Sequence, residues 1–384
     1  MDKLNILILA TGYYPAKTYG GPVSSIQNLA MLLKDDCRFY VVTRNHELHD
    51  SKRLEGIRDG WCTRDECEII YLDDSKMNVS GIVEASRASG VDFSVVFSQS
   101  FFDYCLNFAG RKISKELDIP FLIAPRGEVC PGAFNFKRWK KVPYTALWKQ
   151  LYDRSRTYYF VTSDEEHGEV VSRLGASEDR IFEMSNVPSI GSGHDRAEPK
   201  RQGHVKLIYL SRIHPKKNLR FGIEMLVRSG IDAELDVYGP LEDKGYWNSC
   251  LEAAGDSSSL SVEYKGLIDH EEVIDTFSDY DAFLFPTLSE NYGHVIAESL
   301  SAGCPVIISD QTPWTPVNEK GAGWAMALSD EDGYISVMRR LATMTNDEWI
   351  SMSCAARAYA DRVTDFGGLR RCYLDMFERM VDNL

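Results

Sequence analysis

The chain has no long apolar run. Nothing approaches the roughly 20 consecutive apolar residues that a membrane-spanning helix requires. The stretch from Leu4 to Ala10 stops after seven residues at Thr11-Gly12-Tyr13-Tyr14-Pro15, so it is expected to be a first strand rather than the core of a secretory signal. Nine cysteines contain no C-x-x-C pair, are odd in number and are scattered through apolar segments such as Ala302 to Ile308. That pattern sets aside a disulfide framework and points to a reduced, cytoplasmic setting. Positive charge is short: 43 Lys and Arg stand against 57 Asp and Glu, a net charge of -14. A general basic footprint for nucleic acid is therefore missing, and no nucleic-acid partner is expected. There is no G-x-G-x-x-G and no Walker motif, which leaves a dinucleotide enzyme or a P-loop ATPase without support.

What is present is a globular balance, 44% hydrophobic and 26% charged over 384 residues, too long for one ordinary core and suited to two domains. Apolar runs of strand length, Asn5 to Ala10, Phe39 to Thr43, Val95 to Ser98, Phe121 to Pro125 and Tyr158 to Thr162, alternate with helical patterns at Val23 to Leu33, Phe101 to Leu117 and Glu165 to Leu174. Such alternation implies a parallel sheet with helical crossovers. The segment from Pro188 to Gly203 is dense in Gly, Pro, Ser and charge and has no apolar period, as expected of a linker.

Beyond it the same grammar restarts, with strands expected at Val205 to Leu210, Glu234 to Gly239, Val262 to Lys265, Ala282 to Phe285 and Val306 to Ser309. Helices fall near Leu219 to Arg228, His270 to Phe277, Gly293 to Ser301 and Asp332 to Thr343. The expected organisation is an N-terminal domain over 1–187, a linker over 188–203, a C-terminal domain over 204–365, and a last helical segment over 366–384 free to lie across either domain. Two such sheets would leave a cleft between their strand carboxyl ends, where these folds bind ligands.

Three clusters can carry chemistry. Ser211-Arg212-Ile213-His214-Pro215-Lys216-Lys217 follows the strand that opens the second domain; its cations suit a diphosphate, or the loop is simply solvated. Pro286 to Glu298 runs from a strand end through a small-residue turn into an apolar helix. Backbone N–H groups of Tyr292, Gly293 and His294 would open that helix as an anion site. Glu290 and Glu298 could bracket the anion and accept hydrogen bonds from sugar or ribose hydroxyls. Tyr19-Gly20-Gly21-Pro22, between the first strand and first helix, would let backbone approach a phosphate or sugar, or is a tight turn.

Two metal-like spellings read otherwise. Asp330-Glu331-Asp332 begins a polar helix, and His46 with His49 and Asp50 has no third His or Cys ligand near in sequence. Phe134 to Arg156 runs against the acidity, with seven Lys or Arg and one Asp interleaved with Phe136, Trp139, Tyr144, Trp148 and Tyr152. It reads either as a surface for an anionic membrane or as an aromatic core helix with a solvated basic side.

Taken together, Tyr14-Pro15 with Gly20-Gly21-Pro22-Val23, Ser25-Ile26 and Asn28-Leu29, Ala124-Pro125-Arg126-Gly127-Glu128 with Pro131-Gly132-Ala133 and Lys140-Lys141, the Glu290 to Glu298 cluster, and Ser309 to Trp314 followed by Gly321 to Trp324 resemble the retaining glycosyltransferases of family 4. The match is most specific to the branch for exopolysaccharide and capsule assembly, and it spans nearly the whole chain.

The resemblance implies an α/β protein of the GT-B fold, two Rossmann-like domains with parallel sheets facing across a central cleft. It also implies a nucleotide-sugar donor, a glycan or lipid-linked glycan acceptor, and no metal or further cofactor. Arg212 and Lys217 match the cation pair on the departing diphosphate, Glu290 the carboxylate at the donor sugar and Glu298 that at the ribose. Asn291, Tyr292, Gly293 and His294 belong to the same donor site, and Gly20 and Gly21 would approach the diphosphate from the other domain. The family's N-domain histidine has no counterpart between His49 and His167; Arg126 and Glu128 stand in that place as acceptor-side candidates. Asn218 stands where the family has glycine after the second cation. The expected location is the cytoplasm or the inner face of the plasma membrane. A nucleotide-sugar epimerase of the same architecture and a bilobed solute-binding protein are the competing readings.

Overall fold

The computed structural model describes residues 3–48, 50–64, 66–189, 191, 193–194, 196, 198–255, 257–269, 272–290 and 292–383. The chain divides into two units, Met1–Val187 with Phe366–Leu384, and Pro188–Asp365. The first unit holds β1 (Leu4–Leu9), β2 (Cys37–Arg44), β3 (Cys62–Arg64), β4 (Cys67–Leu72), β5 (Val95–Ser98), β6 (Phe121–Ile123), β7 (Thr157–Val161) and β8 (Ile181–Glu183). They form one sheet in the order β3-β4-β2-β1-β5-β6-β7-β8. All its pairings are parallel except the edge strand β3 on β4.

Alternation along β1 shows how this sheet is covered. Ile6 and Ile8 enter one apolar cluster while Leu7 and Leu9 enter another, because successive side chains in a strand point to opposite faces. Both faces are therefore buried, which explains why the strands read as continuous apolar runs. The C-terminal helix Phe366–Asp382 belongs to this unit. Its Tyr373, Met376, Phe377 and Met380 join the Ile6 cluster, Arg370 pairs with Asp36 at 2.7 Å, and the Tyr373 hydroxyl donates to the Ser185 carbonyl at 3.0 Å.

The second unit holds β9 (His204–Leu210), β10 (Asp232–Tyr238), β11 (Leu260–Gly266), β12 (Ala282–Phe285), β13 (Val306–Ser309) and β14 (Gly323–Met326). They are ordered β11-β10-β9-β12-β13-β14, and the pairings are parallel. One cluster, built on Leu207, Val237, Phe283, Ile307 and Tyr334 among others, fills it. Expected strands Val95 to Ser98, Ala282 to Phe285 and Val306 to Ser309 coincide with β5, β12 and β13. Strands β3, β4, β8 and β14 and the helices Val79–Ala88, Lys244–Ala254 and Asn346–Val363 lie outside the expectation, while the helix Arg138–Leu151 falls in the segment read either as a membrane surface or as an aromatic core helix. The expected helix near His270 is described only from its later part, Val273–Ser278, because 270 and 271 lie outside the described residues.

Two described cations of the expected linker are fixed on one carboxylate of the second unit. Arg196 and Lys200 both reach the carboxylate of Asp281, at 2.5 and 3.4 Å. This pairing spans more than 80 residues, so no local pattern announces it.

Elsewhere His167 sits between Glu178 and Glu183, each at 2.7 Å from a ring nitrogen. The hydrogen bond to Glu178, then that to Glu183, favours the imidazolium and raises its pKa above the ordinary 6.5. A raised folded-state pKa gives stability that is complete below the unfolded value and lost as pH rises through the folded one. Urea unfolding at several pH values from 6 upward should therefore show wild type losing stability over His167→Gln as pH rises. Parallel pH profiles for the two proteins would remove His167 as a contributor.

Candidate functional site

In an open α/β sheet, ligands bind outside the strand carboxyl ends where the strand order reverses. In the second unit that point lies between β9 and β12, since the chain steps from β9 to β10 and β11 on one side and returns with β12 on the other. The loops that leave these two strands are tied together there. The Leu288 N–H and the Thr287 hydroxyl donate to the Lys216 carbonyl at 2.9 and 3.3 Å, and the loop after β12 is tied in turn to that after β13, the Glu290 N–H donating to the Gln311 carbonyl at 3.0 Å.

The outcome is a close ion pair between the Lys217 ammonium and the Glu290 carboxylate. Lys217 is only 8% exposed, and its ammonium also lies 5.3 Å from the centre of the Phe285 ring. A cation on an aromatic face gains attraction where solvent is thin. The turn that delivers it, Pro215–Lys217, ends on Asn218 in the left-handed region at φ 58. Asparagine tolerates that conformation better than other non-glycine residues, so Asn218 can stand where the resembled family has glycine.

The other candidates of this unit are held separately. Arg212 is half-exposed and points to Glu242, in the loop after β10, at 3.3 Å. Glu298 lies in the helix His294–Ser301, is 6% exposed, and accepts a hydrogen bond from the Ser189 hydroxyl at 2.6 Å. Gly293 turns the chain into this helix at φ 80, and a Cβ there would lie 3.1 Å from Cγ of Glu290 and 3.0 Å from Cδ1 of Ile296. Glycine thus sets both the turn and the closeness of the helix start to Glu290. Tyr292 gives its carbonyl to the Trp314 indole at 2.6 Å and packs edge-on against His294 at 4.9 Å; burial pushes its phenol pKa up. Asn291 lies outside the described residues.

In the first unit the order reverses between β1 and β5; Gly20 ends the connection from β1, and Gly21 opens the helix Gly21–Leu33. Gly20, at φ 69, is the residue before that helix. Glu47 fixes the loop, accepting from the Lys17 N–H, the Thr18 N–H and the Thr18 hydroxyl at 2.9, 3.0 and 2.6 Å.

Arg126 and Glu128 follow β6. The Arg126 guanidinium donates to the side-chain oxygens of Gln99 and Asn186 and lies 5.5 Å from the Phe160 ring centre. Glu128 clamps the turn after β5, accepting from the N–H groups of Phe101 and Phe102 at 2.7 and 3.0 Å and from the Ser100 hydroxyl at 2.9 Å. Burial pushes its carboxyl pKa up against the pull of these donors. The sequence reading missed Gln99, Asn186, Ser189 and Glu242. Gln99 and Glu242 were findable, since each lies within a few residues of a strand's carboxyl end.

The metal-like spellings have local roles. The Asp330 side chain accepts from the Gly333 N–H at 3.0 Å and caps the helix Glu331–Thr343. His46 binds Asp74 at 2.9 Å, and His49 lies outside the described residues. Among the described residues no group of three His, Cys, Asp or Glu is placed to hold a metal ion.

These two units define an α/β protein of the GT-B fold. HepE of Anabaena, solved with UDP and glucose, is similar at TM-score 0.71 and 13% identity, over 98% of this chain and 100% of its own. Sucrose-phosphate synthase from Thermosynechococcus elongatus gives 0.73 and 15% over 100% of both chains. WaaG, a glycosyltransferase involved in lipopolysaccharide biosynthesis, gives 0.66 and 15% over 97% and 99%. In sequence, residues 193–348 match the family described as glycosyl transferases group 1, a span containing Arg212, Lys217, Glu290 and Glu298. Fold and domain match together support a glycosyltransferase of the GT-B type. No curated protein gives a significant match over this sequence.

Proposed function

We propose that the protein is a retaining, metal-independent glycosyltransferase. It moves a sugar from a nucleotide-diphosphate-sugar, a UDP-sugar, to a lipid-linked glycan acceptor in the assembly of a bacterial exopolysaccharide, capsule or O-antigen at the cytoplasmic face of the membrane. The observation that carries this reading is the Lys217–Glu290 pair at the switch point of the second unit, inside the group 1 domain. Support for the uridine nucleotide comes from HepE, which was solved with UDP-glucose.

In this reading Lys217 and Arg212 meet the diphosphate, and the N–H groups at the start of the helix His294–Ser301 add their partial positive charge. Glu290, released from Lys217 as the anion enters, accepts hydrogen bonds from the donor sugar. Glu298 accepts from the ribose hydroxyls while keeping Ser189, since a carboxylate has room for several donors. The leaving diphosphate helps to take the acceptor's proton, and the protein's part is electrostatic support of the charge that develops on it.

The test is a thermal-shift and calorimetric screen of the protein against UDP, GDP, ADP and dTDP and their sugars, in chelator without added metal. Stabilisation by uridine ligands, followed by sugar transfer that keeps the anomeric configuration, is the expected result, because a ligand of the native state raises its apparent stability. Turnover of donor without any acceptor would favour an epimerase, and silence toward every nucleotide at millimolar concentration would overturn the transferase reading.

A further inference from the structure

The structure divides the basic aromatic segment into two faces. In the helix Arg138–Leu151, Tyr144, Thr145 and Trp148 turn inward. Trp148 is fully buried, stacks near Tyr144 and Tyr152, and donates its indole N–H to the Tyr159 hydroxyl at 3.0 Å. For these residues the core explanation is complete. Lys141 goes with them, its ammonium donating to the Ala133 carbonyl at 2.8 Å and lying 4.5 Å from the Phe102 ring centre.

The outward face is also apolar, which a solvated helix does not need. Trp139, Val142, Pro143, Ala146, Leu147 and Leu151 are all exposed and recur at i, i+3, i+4, i+7, i+8 and i+12, the spacing of one helical stripe. Trp139 is 74% exposed, and Phe136, just before the helix, is 69% exposed. Singly exposed apolar residues are ordinary, but a continuous stripe ending in two exposed aromatics marks an interaction surface.

Cations frame that stripe. Lys137 lies 5.1 Å from the Phe136 ring centre and Lys140 lies 4.9 Å from that of Trp139, with Arg138 and Lys149 on the same exposed helix. From Phe134 to Tyr152 there is no Asp or Glu. In a chain of net charge -14 the protein as a whole repels an anionic surface, so this local reversal of sign selects an anionic partner. Trp and Phe beside Lys and Arg, on a helix lying flat, is the chemistry that seats at the headgroup level of an anionic bilayer.

We infer that Phe136, Trp139, Val142 and Leu147, framed by Lys137, Arg138 and Lys140, dock the protein on an anionic lipid surface. The inference rests on this face alone and is independent of the donor site. Pro143 fits such a role: it interrupts the helix ladder on the outward side, where a bilayer interface leaves water to satisfy the carbonyl that it frees.

Flotation of the full chain with vesicles tests it, using phosphatidylcholine alone and a mixture with about one quarter phosphatidylglycerol. Binding is expected to the anionic vesicles, weakening in high salt. It should fall about tenfold or more in Lys137→Glu/Arg138→Glu/Lys140→Glu and again in Phe136→Ser/Trp139→Ser. Unchanged circular dichroism and melting would show that these surface variants are folded. Equal binding to both vesicle types, or no vesicle binding, would overturn the inference. So would a wild-type dimer in sedimentation that Phe136→Ser/Trp139→Ser dissolves, because a second copy would then cover the stripe. Nucleotide-induced stabilisation should persist in all variants; its absence in wild type would instead count against the transferase reading.

Discussion

Lys217→Ala is expected to lower sugar transfer by about a hundredfold or more while the protein stays folded. A unit charge about 4 Å from a phosphate charge contributes about 4 kcal/mol at an effective dielectric of about 20, before desolvation is subtracted. About 2.7 kcal/mol, the equivalent of a hundredfold, is thus a fraction of what one well-placed cation can supply. Lys217 is suited to that part because its ammonium is already out of bulk water, on Glu290 and above Phe285, and needs little reorganisation when charge develops on the leaving group. The loss should therefore fall mainly on kcat, since the interaction strengthens as the bond to the diphosphate breaks.

Glu290→Ala should cost a similar factor for a different reason: in the proposed mechanism it removes the acceptor of the donor sugar's hydroxyls, and it leaves the Lys217 charge without its partner. Steady-state kinetics with the donor found in the nucleotide screen, alongside melting curves, measures both. Near-normal turnover in both variants would remove this pair from the proposed mechanism. Arg212→Ala should cost less than Lys217→Ala, because Arg212 is half-exposed and engaged with Glu242, and an exposed pair is screened by solvent.

How much of this arrangement was legible in the sequence follows from which forces are local. Strands β5, β12 and β13 stood out because both faces are buried, leaving short unbroken apolar runs. Strand β14, Gly-Trp-Ala-Met, begins with glycine and sits at a sheet edge, and β3 is an antiparallel edge strand of three residues; neither offers a period long enough to read. The helix Arg138–Leu151 was legible only as one of two readings of its segment, because it is apolar on two opposite faces and carries Pro143, which blurs the single stripe of an ordinary helix.

Lys217 and Glu290 were visible as candidates since each follows a strand, and strand ends are where chemistry sits in such sheets. That they meet each other, and that Arg212 turns to Glu242 instead, depends on the order β10-β9-β12, which no spacing encodes. Glu128 was legible as a residue after a strand, but that its oxygens accept from the backbone of Phe101 and Phe102 depends on the neighbouring strand and could not be read from the sequence.

Asp281→Ala is expected to destabilise the second unit by about 3–5 kcal/mol, the range for removing one partner of a buried ion pair. Asp281 is 2% exposed and the Lys200 side chain 0%. The aspartate also accepts from the Lys206 N–H of β9 at 2.8 Å. Alanine would strand that N–H and leave two cations facing each other across a small cavity. Lys200 keeps hydrogen bonds to the carbonyls of Arg201 and His204, and Arg196 keeps the Trp349 ring, 5.0 Å away, which holds the loss below that of wholly unpartnered charges. Burial already lowers the Lys200 pKa, and without Asp281 to oppose it the ammonium would give up its proton more readily, a second route by which the damage is limited. Urea unfolding of the variant and of Asp281→Leu/Lys200→Met separates the causes: if the cost is a stranded charge, the apolar pair should recover part of the loss. An Asp281→Ala protein within about 1 kcal/mol of wild type would mean that segment 188–203 is held by its other contacts, Ser189 on Glu298 among them, and that the ion pair contributes little to this unit.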